Sequence, residues 1–421
     1  MKILLVADNF YPNVGGIANV LVNLCKSLKS KEHKIYVINP NIDGKDIYNK
    51  LILKDYEKRD FLRFFLKKNY LKFSLTTVWK ILFSIDISFS SRIKLLLYFL
   101  TKPRIFIKII NNITILYPFL RKLDFDIIFS GNSSWILPLN FILSKMFKKK
   151  MVTIAYGLDF LVHSRFSLRT YYFRNTEKII VITKQTKNLI KQIHHLGDDQ
   201  VKVIYVGVNL EDLKVTNTKE ELKKEFNIPI DNKILLSVGR HVERKNFGLV
   251  IRALGELKKA RPDLKIKYYL VGEGPETVNL KSLSKNLNLE EDVKFLGNCD
   301  INTRNKFYKM ADIFLMPSIT KKTDIEGFGI VFLEANYFKV PTIGSKTGGI
   351  VEAIVDGKTG FLVNQNDLGE LVEKILTLIE NEEMRKNFGE NGYKRVVKEF
   401  QWTNIVEDYI ELFEKLIENK N

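Results

Sequence analysis

Both halves of this 421-residue chain repeat one pattern: a short run rich in Ile, Val, Leu and Tyr, a polar or glycine turn, then a longer amphipathic stretch. In the first half the runs are KILLVA, KIYVIN, DIIFSG, KMVTIAY and KIIVIT, with stretches such as NVLVNLCKSLKS between them. In the second they are KILLSVG, IKYYLVG, VKFLG, DIFLMPS, PTIGS and GFLV. Short β-branched runs alternating with helical periods predict parallel strands joined by crossover helices, and so an α/β chain of doubly wound sheets. The length exceeds what one core accommodates, so two domains are expected. The seam is placed near VIYVGVNLEDL, because the polar run KVTNTKEELKKEF follows it. That gives domains over residues 1–208 and 209–400; no internal sequence repeat accompanies them.

Composition adds exclusions. Apolar content of 45% with 27% charged residues is that of an ordinary globular protein. Two cysteines, Cys25 and Cys299, make neither a disulfide framework nor a metal site, and read as thiols of a reducing cytoplasm. KILLVA runs straight into Asp8, which suits a first strand and not the core of a signal peptide. The longest apolar tract, IKLLLYFLTKPRIFIKII, is broken by Lys102, Pro103, Arg104 and Lys108. A secreted or membrane-spanning protein is not expected.

The run EGFGIVFLE sets Glu326 and Glu334 eight residues apart around Gly327 and Gly329. The glycines followed by IVFLEANYF read as the entry to a buried helix, whose free N–H groups and positive dipole end suit a phosphate. At ~1.5 Å per residue the carboxylates would stand on the order of 10 Å apart, a span suited to hydroxyl-bearing groups flanking a diphosphate. The alternative is a solvated acidic pair at a helix end. Upstream, KILLSV ends in Gly239 and Arg240, with Lys245 in the HVERKN that follows: a strand, a glycine turn, then cations at the binding edge of a parallel sheet. IKYYLVG ends in Gly272, Glu273 and Gly274, VKFLG ends at Gly297, and Gly348 with Gly349 opens GGIVEAI.

In this order the segments PNVGGIANVLVNL, TIAYGLDF, VIYVGVNLEDL, SVGRHVERKN, YYLVGEGPE, VKFLGN, ADIFLMPS, EGFGIVFLE, GSKTGGIVEAIVDGKTGFLV and FQWTNIVEDYIELFEKL resemble the retaining glycosyltransferases of family 4. The resemblance spans nearly the whole chain apart from about Lys45 to Lys122. It implies the GT-B fold: an acceptor-binding Rossmann-like domain, a nucleotide-sugar-binding one, and a final helix over 401–421 crossing back to the first. It also implies transfer of a hexose from a UDP- or GDP-sugar to an acceptor hydroxyl with retained anomeric configuration. Arg240, Lys245 and Glu326 would be catalytic, the cations neutralising the departing diphosphate and Glu326 touching sugar hydroxyls. Gly239, Gly272, Asn298, Phe328, Gly329, Ile330 and Glu334 would hold the donor, Glu334 accepting from the ribose diol and Gly297–Asn298 meeting the base. Pro317 and Ser318 close their strand and read equally as structural or binding residues.

Across the cleft of such a fold, the turn from Pro12 to Gly16, with Gly15 and Gly16, would approach the diphosphate or acceptor; its alternative is a tight βα turn needing glycine for its backbone alone. Tyr156 and Asp159 mark the loop where relatives carry a histidine before the glycine. Tyr156 in that place puts an imidazole role in doubt; His163 is a substitute or an ordinary partly buried residue. His194 and His195 end a helix and are expected to be solvated. No cofactor or metal is expected: Asp124 and Asp126 spell an Asp-X-Asp but introduce the strand DIIFSG. A sugar phosphorylase of the same fold lacks its pyridoxal-lysine motif here.

The net charge of +19 is unevenly placed: residues 45–124 hold seventeen Lys/Arg against six Asp/Glu. That stretch interleaves cations with aromatic and aliphatic residues, as in DFLRFFLKKNYLKF. It reads as a basic amphipathic helical insertion (45–122) lying on an anionic membrane surface, each cation contributing about 1 kcal/mol before screening. The alternatives are a packed insertion with lysines facing water and, least favoured by the aliphatic content, nucleic acid. The acceptor is then lipid-linked or a cell-surface polysaccharide, reached by a cytoplasmic enzyme peripheral to the inner membrane face. A soluble acceptor, or a non-enzymatic basic binder of membrane or nucleic acid, are the competing functions.

Overall fold

The structure is a computed structural model that describes residues 1–10, 15–40, 103–161, 168–321 and 324–419. Twelve strands form among these residues. In chain order they are β1 (Lys2–Val6), β2 (Lys34–Ile38), β3 (Ile127–Ser130), β4 (Met151–Ala155), β5 (Lys178–Val181) and β6 (Val201–Val203), then β7 (Lys233–Val238), β8 (Ile266–Val271), β9 (Val293–Gly297), β10 (Ile313–Met316), β11 (Thr342–Ser345) and β12 (Gly360–Val363). They make two six-stranded sheets of order β2-β1-β3-β4-β5-β6 and β12-β11-β10-β7-β8-β9, and the pairs in both run parallel. All eleven apolar runs become strands. The twelfth, β6, is only VKV and carries no readable alternation. The central strands are buried on both faces, as β3, β4, β10 and β11 show along their whole length, which is why they read as continuous apolar runs.

The chain divides into two compact units, residues 1–204 with 406–421, and 205–405. The first boundary thus falls at Ile204/Tyr205 instead of 208/209 and the second at Ile405/Val406 instead of 400/401. Packing accounts for both. The Tyr205 ring lies 5.6 Å from Phe328 and 5.7 Å from Phe400, and the Val208 N–H donates to the Phe400 carbonyl at 2.6 Å, so both segments hold to the second unit. From Val406 the last helix (Trp402–Glu418) belongs to the first unit: Tyr409 and Phe413 pack on Phe129 of β3 at 6.2 and 5.5 Å.

Of the basic stretch, residues 45–102 lie outside the described residues. Its end forms the helix Pro103–Leu120, which buries Ile109, Ile110, Ile113, Leu116 and Leu120 and leaves Arg104 and Ile107 exposed, while the Lys108 ammonium lies over the Trp135 ring, 3.8 Å from its centroid. No helix among the described residues is long and apolar enough to cross a membrane. His194 departs from expectation: it is fully buried, its Nδ1 2.8 Å from the Thr170 hydroxyl and its ring 4.8 Å from Phe173, because the last turn of the helix Lys184–His194 faces the core. His195 caps that helix in the left-handed region and is exposed. Asp124 pairs with the Lys2 ammonium, and Asp126 accepts the Lys2 backbone N–H at 2.7 Å; both serve the amino edge of the first sheet.

Candidate functional site

In the second unit, β7 has β8 on one side and β10 on the other, so the strand order reverses between β7 and β10. A crevice opens at the carboxyl ends of two such strands, and it is the place where open α/β sheets bind ligands. The two loops leaving β7 and β10 carry the predicted groups. After β7 the chain passes Gly239 and Arg240 into a short 3-10 turn, Glu243–Lys245. After β10 it passes Pro317 and the fully buried Ser318 and runs to Glu326. The Ile319 N–H donates to the Arg244 carbonyl at 2.8 Å, tying one loop to the other.

Lys245 and Glu326 meet there. The Lys245 ammonium donates to Glu326 Oε2 at 2.7 Å and lies 3.0 Å from Met316 Sδ at the end of β10. Both side chains are largely buried. Burial pushes the Lys245 ammonium below its ordinary pKa, against the opposing pull of Glu326. For Glu326, burial works to raise the carboxyl, but the charges and hydrogen bonds of Lys245 and Arg244 prevail and hold it below the usual range. The sequence reading missed Arg244. Its guanidinium bonds Glu326 and lies 2.8 Å from Asp324. The only sequence signal was its place beside Lys245 in ERKN. Arg240 is exposed, and no described residue pairs with its guanidinium.

Glu326 stands ahead of the helix Ile330–Tyr337, whose N-cap, Gly329, takes φ +81°. Phe328 is buried against Tyr205 and Phe400. The backbone of this loop is clamped by Gly348: the Gly349 N–H donates to the Glu326 carbonyl at 3.0 Å, and a Cβ on Gly348, at φ +53°, would stand 2.4 Å from that oxygen. Ile330 is half-buried at the first turn, and Glu334 sits in the second.

Glu334 is held from the helix Ile301–Met310, which Asp300 caps by accepting the Thr303 N–H. Arg304 and Tyr308, one turn apart on that helix, reach Glu334 at 3.5 and 2.9 Å. Burial raises the Glu334 carboxyl, with Arg304 and the Tyr308 hydroxyl opposing. Neither partner carries a sequence signal. At the ends of β7, β8 and β9 the backbones touch. Gly239 N–H donates to Val271 O at 2.9 Å and Gly272 N–H to Gly297 O at 2.7 Å, and a Cβ on Gly272, at φ +118°, would collide with the Gly239 carbonyl at 2.2 Å. The exposed Asn298 donates to Glu273 at 3.2 Å. His241, also unforeseen, is fully buried; its Nδ1 lies 2.9 Å from the Thr277 hydroxyl, and burial lowers its pKa.

In the first unit the strand order reverses between β1 and β3. Asp8 beyond β1 accepts from Asn132 and, at 2.9 Å, from the Ser134 hydroxyl beyond β3. Gly15 and Gly16 open the helix Gly16–Ser30 and are exposed, with no described atom within 4 Å of a Cβ built on either. Tyr156 follows β4 and is buried. Pro12 and His163 lie outside the described residues, as does the side chain of Asp159.

Comparison with known proteins agrees in both units. The family model described as Glycosyltransferase Family 4 matches residues 14–212, and that described as Glycosyl transferases group 1 matches 218–395. N-acetyl-alpha-D-glucosaminyl L-malate synthase of Bacillus anthracis is 31% identical over 65% of this chain and 70% of its own. Sucrose-phosphate synthase from Thermosynechococcus elongatus superimposes with a TM-score of 0.75 at 19% identity, covering 99% of each chain. Anabaena HepE, in complex with UDP-glucose, gives 0.70 at 17% identity, over 99% of this chain and 100% of its own. The two structural likenesses carry the fold, and the relative with the family models carries the membership: this chain is a glycosyltransferase of family 4, built on the GT-B fold.

Proposed function

We propose that the enzyme moves a hexose-type sugar from a nucleoside diphosphate sugar to an acceptor hydroxyl with retention of configuration. The observation that supports it best is the buried Lys245–Glu326 pair at the β7/β10 reversal, with the exposed Arg240 on the same β7 loop. Arg240 clamps phosphate oxygens through paired N–H donors, Lys245 supplies a compact charge, and Glu326 takes sugar hydroxyls. Backbone N–H groups of Phe328, Gly329 and Ile330, at the start of the helix Ile330–Tyr337, receive the remaining oxygens. Gly239 and Gly272 let the strand ends approach the nucleotide, Asn298 meets the base, and Glu334 accepts from the ribose. Gly15, Gly16, Tyr156 and Asp159 of the first unit are the residues we assign to the acceptor or phosphate loop. A transfer on one face of the sugar uses a donor phosphate oxygen as base, which fits a loop with Tyr156 where a histidine is usual. A melting-temperature screen with UDP, GDP, ADP and their hexose conjugates tests the donor class. Stabilisation by UDP or GDP conjugates is expected; no shift with any of them sinks the reading.

The cations do the work a metal does in other transferases, neutralising the leaving diphosphate, so no metal or other cofactor is needed. Turnover is therefore expected to survive EDTA. Complete loss restored by a divalent ion would count against it.

For the acceptor we favour a lipid-linked sugar or cell-surface polysaccharide at the cytoplasmic face of the membrane, with the protein peripherally bound. What supports this is the charge of residues 45–124 and, among the described residues, the exposed Arg104 and 50%-exposed Ile107 of the helix Pro103–Leu120. Vesicles rich in anionic lipid should sediment the protein at low salt, neutral vesicles poorly, and added salt should weaken the binding. Replacing Lys67, Lys68 and Lys72 by Glu should reduce co-sedimentation several-fold. Equal sedimentation of that variant and wild type would reject the patch and favour a soluble acceptor.

A further inference from the structure

We infer that Arg244 is a positioning residue: the standing counter-ion of Glu326 that frees Lys245 to turn to the donor's diphosphate. The inference rests on the reading of Lys245 as a diphosphate ligand given above.

Two consecutive cations of one 3-10 turn reach a single oxygen, since Arg244 and Lys245 both donate to Glu326 Oε2. The three side chains are 16%, 11% and 11% exposed, so water screens the cluster little. The two cations are held differently. Arg244 has a carboxylate on two sides: it donates to Glu326, and Asp324 lies 2.8 Å from its Nε as an ion pair without hydrogen-bond geometry, while the Ile319 N–H holds its backbone. Its planar fork suits such a fixed bridge. Among the described residues, the Lys245 ammonium donates to Glu326 and lies beside the Met316 thioether, on a flexible four-carbon stem.

An anionic ligand that draws Lys245 away would strip Glu326 of a cation. A buried carboxylate left with none is strongly disfavoured, and that cost would be set against ligand binding. With Arg244 in place the carboxylate stays paired whichever way Lys245 turns. Asp324 in turn keeps Arg244 from following Lys245 to the phosphate. The depressed pKa of Glu326, sustained by both cations against burial, agrees with this arrangement.

Calorimetric titration of the full chain with UDP and with GDP tests it, using Arg244→Gln, Arg244→Lys, Asp324→Asn, Glu326→Gln and the double variant Arg244→Gln/Glu326→Gln, each checked by thermal melting. Arg244→Gln should weaken the diphosphate about ten-fold or more, and Arg244→Lys should regain part of that. In the Glu326→Gln background the Arg244→Gln penalty should vanish, because no buried carboxylate is left to abandon. Wild-type affinity in Arg244→Gln overturns the inference. So does a penalty that persists in the double variant, which would place Arg244 on the ligand itself. Should Arg244→Gln not fold, the smaller losses expected for Arg244→Lys and Asp324→Asn must likewise disappear with Glu326→Gln. A wild type that binds neither UDP nor GDP overturns the reading of the site, and this inference with it.

Discussion

Lys245→Ala should lower turnover by about two decades while donor binding falls less. An ammonium held at the β7/β10 reversal matters most when charge collects on the leaving diphosphate, and removing one such stabiliser costs on the order of 3 kcal/mol in the transition state. The fold should survive, because Glu326 keeps Arg244 as a partner and is not left as a lone buried charge. Arg240→Ala should show a similar loss with even less effect on melting, since that side chain is exposed. Losing Lys245 also removes one of two cations that depress the Glu326 pKa. A depressed carboxylate contributes stability above its unfolded pKa that is lost as pH falls through the folded value, so Lys245→Ala should lose stability at a higher pH than wild type does. Steady-state kinetics with the donor found by the screen decides the matter. Wild-type turnover in either variant would make its cation peripheral.

The sequence carried the fold because it is written in local chemistry. Eleven apolar runs had to be strands, since their continuous Ile, Val and Leu content suits a sheet covered on both faces; VKV was too short to say so. Gly239, Lys245 and Glu326 stood out because turns and fixed charges there have little packing purpose. What stayed hidden were the pairings. Lys245 and Glu326 are 81 residues apart, and only the order β10-β7 joins their loops. Arg304 and Tyr308 looked like any helix residues until the fold turned both toward Glu334. His194 and His241 resisted for the same reason, since burial is decided by which helix turn or loop meets the core. The seam was misplaced by a few residues because the aromatic contacts of Tyr205 and Phe400 draw both crossing segments into the second unit.

Glu334→Ala should weaken binding of the preferred nucleotide on the order of 100-fold with the chain still folded. As acceptor for a ribose diol, the carboxylate would make two charge-assisted hydrogen bonds, each worth roughly 1.5–3 kcal/mol. The variant also leaves the buried Tyr308 hydroxyl without its partner, at a cost of about 1–3 kcal/mol, so its melting temperature should fall by a few degrees. Glu334→Gln separates the effects: it keeps an oxygen for Tyr308 and loses the charge. The pH dependence supplies a second check. Burial raises the Glu334 carboxyl, so the native protein takes up a proton more readily than the unfolded chain, and stability from this group declines as pH rises through the folded value. Binding runs the other way. Affinity should drop as pH falls through that raised pKa, because the protonated acid loses an acceptor, and the Gln variant should lack this drop. Unchanged affinity of Glu334→Ala in a calorimetric titration, or an acid limb retained in Glu334→Gln, would remove Glu334 from the nucleotide and leave it a buried anchor for Arg304 and Tyr308.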